Sequence, residues 1–242
     1  MSLTSPPAAS DLPATQPAAP SVTPPSAVAL TGVSKRYGTQ LILRNLNLDI
    51  GIGKTVLLWG SNGAGKTTLL KLIASRLRPS TGSGQIFGLD LVKQAALVRQ
   101  CVCYAPVLGG FYGSLSGQEN LELARHFYDK PEQTRDDALN AVGLWQAKDQ
   151  LVRRYSSGMK KRLALAKMRL SGAPLWLLDE PYASLDQDGK RLVDELLVSA
   201  TASGRTIIIA SHDVQRVQAF ADGTIYLDQG QLFARTPEDE AY

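Results

Sequence analysis

Residues 56–70 read V-L-L-W-G-S-N-G-A-G-K-T-T-L-L. The first four residues are wholly apolar, as in a strand buried on both faces, and the last residues favour a helix over 66–77. Between them, Gly60 to Thr67 match the pattern G-x-x-x-x-G-K-[ST] without a mismatch. A glycine-rich loop between a strand and a helix predicts a phosphate-binding site.

The residue types of this loop suit a nucleotide phosphate chain. Glycines let the backbone fold tightly, so that successive N–H groups converge on one anion. The helix that begins at Lys66 adds the positive end of its dipole. We expect Lys66 to reach the β- and γ-phosphates and the Thr67 hydroxyl to ligate Mg²⁺. The predicted ATP-binding residues of the loop are Gly60, Ser61, Asn62, Gly63, Ala64, Gly65, Lys66, Thr67 and Thr68.

Two further apolar runs, L-W-L-L at 175–178 and I-I-I-A at 207–210, also predict buried strands. Helical stretches are predicted at 158–170 and 188–201. This alternation predicts an α/β domain around a mainly parallel sheet. Residues from about 90 to 165 are richer in helix formers and charge, and we interpret them as a helical subdomain.

The two ends of the chain differ in composition from this domain. Residues 1–27 hold seven of the thirteen prolines and one charge, Asp11, which is typical of a disordered tail. We expect the folded domain to cover 28–234 and a short acidic tail to cover 235–242. Cys101 and Cys103 lie two residues apart on an expected strand and are predicted to form neither a disulfide nor a metal site.

The net charge of +4 is compatible with an anionic ligand or a membrane surface but requires neither. No apolar run approaches the roughly 18 residues that a membrane-spanning helix needs. The N-terminus shows neither a basic region nor an apolar stretch, so we do not expect a secretory signal. If the protein works at a membrane, a partner is expected to supply the membrane part.

The run at 175–178 is followed by D-E-P, which places two carboxylates at the end of a buried strand. Asp179 is expected to hold Mg²⁺, directly or through water, and Glu180 to polarise the attacking water. A plain strand-ending turn is the alternative, and the complete phosphate loop argues against it.

His212 follows the run at 207–210 and is expected at the same edge of the sheet, where open α/β domains bind ligands. We therefore predict that it contacts the γ-phosphate and contributes to catalysis. His126 has no such context and is assigned no role.

These motifs together resemble the ATP-binding cassette, the nucleotide-binding subunit of ABC transporters, over residues 28–234. The discriminating stretch is Y-S-S-G-M-K-K-R at 155–162, which is similar to the family signature L-S-G-G-Q. The resemblance implies a P-loop NTPase fold of ABC type, with a helical subdomain that carries the signature. It also implies that Tyr37 in K-R-Y-G stacks on adenine.

In such cassettes ATP is held between two subunits, one giving the phosphate loop and the other the signature. The resemblance therefore implies a head-to-tail dimer with two ATP molecules. The residues that would face the ATP of the other copy are Tyr155, Ser156, Ser157, Gly158 and Met159, and the expected dimer loop is Ser184, Leu185 and Asp186. Helix capping alone would explain one serine of the signature.

This chain departs from the family pattern at three places. Tyr155 replaces the leucine of the signature and Met159 its glutamine, although the small residues between them are kept. A family glutamine that contacts magnesium or water is expected at Val107 or Leu108 after C-Y-A-P, and neither residue is a glutamine.

The leading hypothesis is an ATPase subunit that works with a separate permease at the cytoplasmic face of a membrane, with ATP and Mg²⁺ as cofactors and no nucleic-acid partner. The stretch A-K-M-R-L-S-G-A-P-L-W-L-L-D-E-P resembles the haem-exporter ATPase of cytochrome c maturation, with drug, polysaccharide and multi-purpose exporters as rivals. Two other classes stay open: a soluble ABC-type ATPase such as an iron–sulfur cluster assembly factor, and a nucleotide-binding module that does not hydrolyse ATP.

Overall fold

The computed structural model describes residues 26–107, 110–128 and 134–235. The strands are Ser26–Tyr37 (β1), Gln40–Gly51 (β2), Thr55–Trp59 (β3), Thr81–Ile86 (β4), Leu89–Asp90 (β5), Val102–Ala105 (β6), Leu175–Asp179 (β7), Thr206–Ala210 (β8), Gly223–Asp228 (β9) and Gln231–Arg235 (β10). The α-helices are Lys66–Ile73 (α1), Ala95–Cys101 (α2), Gly117–Arg125 (α3), Arg135–Ala141 (α4), Ser157–Ser171 (α5), Gln187–Ala202 (α6) and Val214–Gln218 (α7). Short 3₁₀ helices cover Trp145–Ala147 and Val152–Arg154.

A six-stranded sheet in the order β10-β9-β3-β8-β7-β6 forms the centre of the domain. Its pairings are parallel except for the hairpin of β9 and β10. The three apolar runs predicted as buried strands form its adjacent strands β3, β8 and β7, and each is flanked by the expected helix. The prediction of an α/β domain around a mainly parallel sheet is confirmed.

Both faces of this sheet are covered by other parts of the domain. Successive side chains of a strand point to opposite faces, so neighbouring residues of one strand pack in different core clusters. Leu57 of β3 packs in one core cluster with Trp176 and Ile209. Its neighbours Val56 and Leu58 pack in a second cluster, on the side of α1. The continuous apolarity of these runs therefore reflects burial on two sides.

A second sheet of four antiparallel strands, in the order β2-β1-β4-β5, was not predicted from the sequence. It contributes Val28, Leu43 and Ile86 to the same core cluster as α1. The N-terminal half of the domain therefore packs against the phosphate-loop side of the central sheet.

The predicted helical subdomain over 90–165 differs from the structure at both ends. Helix α2 leads directly into β6, which pairs with β7 as the edge strand of the central sheet. The helical part consists instead of α3, α4 and α5, and α5 continues to Ser171. Cys101 ends α2 rather than lying on a strand with Cys103, and both thiols are free.

The predicted boundary of the folded domain at residue 28 is two residues late. Ser26 and Ala27 belong to β1, and Ala27 is fully buried. The rest of the predicted N-terminal tail, residues 1–25, lies outside the described residues. In the predicted C-terminal tail, Arg235 belongs to β10, and residues 236–242 also lie outside the described residues. Among the described residues, no helix has the length and apolarity to cross a membrane.

Candidate nucleotide-binding site

The glycine-rich loop joins the end of β3 to the start of α1, as the sequence predicts. Gly60 has φ 154°, and a Cβ atom built there would lie 2.0 Å from the carbonyl oxygen of Leu227. Gly65 caps α1 with φ 109°, and a Cβ there would lie 2.8 Å from the Leu43 side chain. At Gly60 the backbone of Leu227 leaves no room for a side chain, and at Gly65 the positive φ is strained for any residue with a Cβ atom, so both positions favour glycine.

Lys66 and Thr67 open α1 and point their polar atoms into the loop region. The buried Lys66 Nζ donates hydrogen bonds to the carbonyl oxygens of Gly60, at 2.6 Å, and Ser61, at 3.1 Å. Burial lowers the pKa of Lys66, while the negative charges of Glu180 and Asp179 act in the opposite direction. A cation with these contacts stays inside the loop, where it can meet a phosphate.

Asp179 is the last residue of β7, is almost fully buried and meets the phosphate loop directly. Its Oδ2 atom accepts a hydrogen bond of 2.8 Å from the Thr67 hydroxyl. The two residues that the sequence assigns to magnesium are therefore in contact, although 112 positions separate them. A carboxylate and a hydroxyl are hard oxygen donors of the kind that Mg²⁺ prefers, so this pair fits that metal.

Glu180 and His212 meet at the same edge of the sheet. The backbone N–H of His212 donates to Glu180 Oε2 at 3.3 Å, and His212 Nε2 lies 3.4 Å from Glu180 Oε1. His212 Nε2 also lies 2.9 Å from Oδ1 of Asn62 in the phosphate loop. Because β3, β8 and β7 are parallel neighbours, the residues after their carboxyl ends converge on one place.

The backbone of Glu180 adopts an unusual conformation, with φ 50°. Its N–H donates to the carbonyl oxygen of Ala210 at 2.8 Å. Its carbonyl oxygen accepts a hydrogen bond of 2.7 Å from Lys161 Nζ, which also contacts the Asp179 carbonyl oxygen at 3.4 Å. Burial lowers the pKa of Lys161, whereas Asp179 and Glu180 raise it.

These residues line a cleft of about 540 Å³. The predicted residues that line it are Ser61, Asn62, Gly63, Gly65, Lys66, Thr67, Thr68, Asp179, Glu180 and His212. Ala64 instead packs in the core, and Gly60 is covered by Leu227. Val107 also lines the cleft, so an apolar side chain lies where the sequence analysis expects a family glutamine, whereas Leu108 lies outside the described residues.

Tyr37 does not line this cleft. It ends β1 with its ring about half exposed, and Lys35 Nζ lies 5.2 Å from the ring centroid. Ile42, which follows on β2, does line the cleft. An exposed ring at this edge is accessible to a base, and its stacking on adenine stays a prediction.

Tyr104 was missed by the sequence analysis as a residue of the site. Its hydroxyl donates a hydrogen bond of 3.1 Å to Asp179 Oδ2, the atom that also accepts from Thr67. Burial and the Asp179 charge raise the pKa of Tyr104, so that its hydroxyl stays a donor. The sequence does contain a signal for this residue. The four-residue run V-C-Y-A is a short strand, and the tyrosine lies near its carboxyl end, at the edge of the sheet where the site forms.

The signature residues surround the start of α5. Ser156 is the N-cap residue, and its hydroxyl accepts a hydrogen bond of 3.1 Å from the Met159 N–H. Tyr155 is buried and donates from its hydroxyl to the Ala147 carbonyl oxygen at 2.7 Å, so its ring holds the loop before the helix. The sequence analysis expected Tyr155 to face the ATP of the other copy, but in this chain it is buried and does not line the cleft that the other signature residues line.

The signature and the predicted dimer loop line a second cleft, of about 620 Å³. Its lining residues include Ser156, Ser157, Gly158, Met159, Ser184, Leu185 and Asp186. None of its lining residues lines the first cleft. The chain therefore presents its phosphate loop and its signature at two separate places.

Comparison with known proteins agrees with this geometry. Residues 43–183, more than half of the chain, match the family described as ABC transporter. The cytochrome c biogenesis ATP-binding export protein CcmA of Xanthomonas oryzae is 37% identical over 191 residues, which cover 78% of this chain and 88% of that protein. The daunorubicin resistance ATP-binding protein DrrA3 of Streptomyces coeruleorubidus is 31% identical over 219 residues, or 89% and 69% of the two chains. A solved structure of the ATP-binding subunit of an ABC transporter has a TM-score of 0.81 and 25% identity, and the match covers 88% of this chain and 91% of that one.

Proposed function

The chain belongs to the ABC transporter family as one of its ATP-binding, ATP-hydrolysing cassettes, and we propose that it drives an exporter from the cytoplasmic face of a membrane. The observation that carries the proposal is the contact of the phosphate loop with the end of β7, through Thr67 and Asp179. Glu180 and His212 lie beside that contact. A binding protein would need only the loop, whereas this arrangement adds the residues that hydrolysis requires.

We propose a division of labour among these residues. Lys66 and the first N–H groups of α1 bind the β- and γ-phosphates, and His212 contacts the γ-phosphate beside Asn62. Thr67 and Asp179 would hold Mg²⁺, which neutralises charge on the phosphates. Glu180 orients the attacking water and accepts its proton, and the nearby His212 keeps that carboxylate at the edge of the cleft.

A second copy of the chain is the proposed partner for the signature. The cleft beside Ser156 and Gly158 shares no lining residue with the cleft at the phosphate loop of the same chain, which favours a nucleotide supplied by another copy. Two copies arranged head to tail would place each signature opposite the loop of the other. The backbone N–H groups at the start of α5 are suited to the phosphates of the facing ATP.

The cargo is proposed from the relatives alone. Similarity to CcmA supports haem export for cytochrome c biogenesis, and similarity to DrrA3 supports drug export. The cargo-binding residues are expected in a separate permease, so the sequence of the cassette is not expected to identify the cargo. The proposal of haem export therefore rests on 37% identity to a protein named for export in cytochrome c biogenesis.

Purification from membranes tests the proposal most directly. A tagged full chain, carrying Glu180→Gln to retain bound ATP, should co-purify with a polytopic membrane protein in mild detergent. The partner, identified by mass spectrometry, should be absent when the tag is placed on an unrelated soluble ATPase. Purification with soluble cluster-assembly proteins and no membrane protein would contradict the transporter proposal and favour the soluble alternative.

A further inference from the structure

Lys161 makes a contact that the proposed chemistry does not use. It lies one helical turn after Ser157, the first residue of α5, and its side chain crosses to the end of β7. There its ammonium group binds two main-chain oxygens, those of Glu180 at 2.7 Å and Asp179 at 3.4 Å. A cation is therefore directed at the peptide backbone beside two carboxylates.

The backbone at Glu180 needs such support. A φ of 50° lies in the left-handed region, which costs free energy for a residue with a Cβ atom. Pro181 follows, and proline further restricts the residue before it toward extended conformations. Hydrogen bonds hold this conformation on both sides. The N–H of Glu180 donates to Ala210, and its carbonyl oxygen accepts from Lys161 at 2.7 Å and, at the longer distance of 3.3 Å, from the N–H of Ala183.

The conformation of this backbone decides where the Glu180 carboxylate lies. The Cα–Cβ direction of a residue follows from its φ and ψ angles, so relaxation to an extended φ would swing the side chain away. In the structure the carboxylate lies next to the backbone N–H and the ring of His212. A small reorientation would separate it from the γ-phosphate side of the cleft, and misplacement by about 1 Å can cost about a hundredfold in rate.

We propose that Lys161 is a positioning residue for hydrolysis, which acts by holding the main chain of Glu180 so that its carboxylate faces the cleft. The inference rests on the proposed role of Glu180 as the base. The charge-assisted hydrogen bond is the relevant element, because such bonds are about twice as strong as neutral ones. Lys161 touches neither the phosphate loop nor the Glu180 carboxylate in these contacts, so its loss affects the chemical step and not ATP binding.

The test is Lys161→Met, which keeps the length of the side chain and removes the ammonium group. In the purified full chain we expect kcat for ATP to fall by about tenfold, with KM and the affinity for a fluorescent ATP analogue within about twofold of wild type. The conservative Lys161→Arg should stay within about threefold of the wild-type kcat. Lys160→Met, on the neighbouring position of the same helix, is the matched control and should leave kcat unchanged.

A double-mutant cycle shows whether the effect passes through Glu180. In single-turnover reactions, Lys161→Met should slow the wild-type protein about tenfold but should add less than about twofold to the defect of Glu180→Gln. An equal factor in both backgrounds, a kcat no lower than that of Lys160→Met, or a parallel loss of ATP affinity and melting temperature would each overturn the proposal. If Glu180→Gln itself hydrolyses ATP like wild type, the base assignment fails, which is a different outcome from a failure of Lys161.

Discussion

Val107 offers a direct test of how the metal site is completed. Its side chain lines the same cleft as Thr67 and Asp179 but carries no atom that can bind a metal or hold a water. The substitution Val107→Gln places an amide in that cleft, at one of the two positions where the family pattern is expected to have a glutamine. We expect hydrolysis by the wild-type chain to be slow and the substitution to accelerate it.

The size of the gain follows from one added polar contact. Such a contact contributes about 1 kcal/mol, and about 1.4 kcal/mol corresponds to a tenfold change in rate. We therefore expect kcat to rise about fivefold, or the Mg²⁺ concentration for half-maximal rate to fall by a similar factor. The Thr67–Asp179 contact is unaffected by the substitution, so ATP affinity should change by less than about twofold.

The assay is a magnesium titration of steady-state ATP hydrolysis at saturating ATP. Val107→Leu is the matched control, because it adds bulk to the cleft without a polar atom and should not raise the rate. If the glutamine and leucine variants respond alike, the gain does not come from a polar ligand. If neither differs from wild type, another polar group already completes this part of the site; Tyr104, whose hydroxyl binds Asp179, is a candidate.

Three further changes test the phosphate loop and the carboxylate of Glu180. Lys66→Ala removes a buried cation from the loop and should weaken ATP binding by at least about tenfold in calorimetry, with unaltered affinity refuting the phosphate-loop assignment. Glu180→Gln should bind ATP but not hydrolyse it, and size-exclusion chromatography should then show an ATP-dependent dimer; a monomer at saturating ATP that also keeps near wild-type turnover would contradict both roles. Gly60→Ala places a methyl group 2.0 Å from a carbonyl oxygen and should lower stability by about 2–3 kcal/mol in thermal melts, whereas Gly223→Ala, with open space around it, should be nearly neutral.

The central sheet could be predicted because its signal is local. Each of the strands β3, β7 and β8 contains a short run of apolar residues. A glycine or a polar residue follows each run, namely Gly60, Asp179 and Ser211, and marks the edge of the sheet. Parallel neighbours then bring those ends together without any further information. The contact between Thr67 and Asp179 was predictable for this reason, despite the distance between them in the chain.

The antiparallel sheet was missed because its signal is mixed. In β2, Leu46, Leu48 and Ile50 lie on the same face of the strand; Leu46 and Ile50 are buried and Leu48 is partly buried. The residues between them are exposed, which is the alternation expected of a strand with one covered face. Nearer the start of the strand, Leu41 and Ile42 are adjacent apolar residues and obscure that period. The register shifts between β1 and β2 show the physical cause, since bulges interrupt the alternation on which the prediction depends.

Tyr104 and Lys161 were missed for a different reason. Their partners, Asp179 and Glu180, lie at or just after the end of β7, far from both residues in the sequence. A hydroxyl or an ammonium group carries no sequence mark of such a partner. Lys161 lies in a basic run that reads as an ordinary solvated helix face. Only its hydrogen bonds to the main chain of Asp179 and Glu180, which the folded structure shows, distinguish it from Lys160.

Ser156 shows why the capping and the ligand interpretations of the signature are compatible. Its hydroxyl accepts a hydrogen bond from the N–H of Met159 and so caps the N-terminus of α5, as an N-cap serine commonly does. A serine hydroxyl has one donor and two acceptor positions, so accepting this bond leaves its hydrogen available to donate. The first residues of the helix that it caps line the second cleft, and Gly158 adds no side chain there that would cover the N–H groups of the first turn. The same residues can therefore stabilise α5 in the single chain and, in the proposed dimer, donate hydrogen bonds to the phosphates of an ATP held by the other copy.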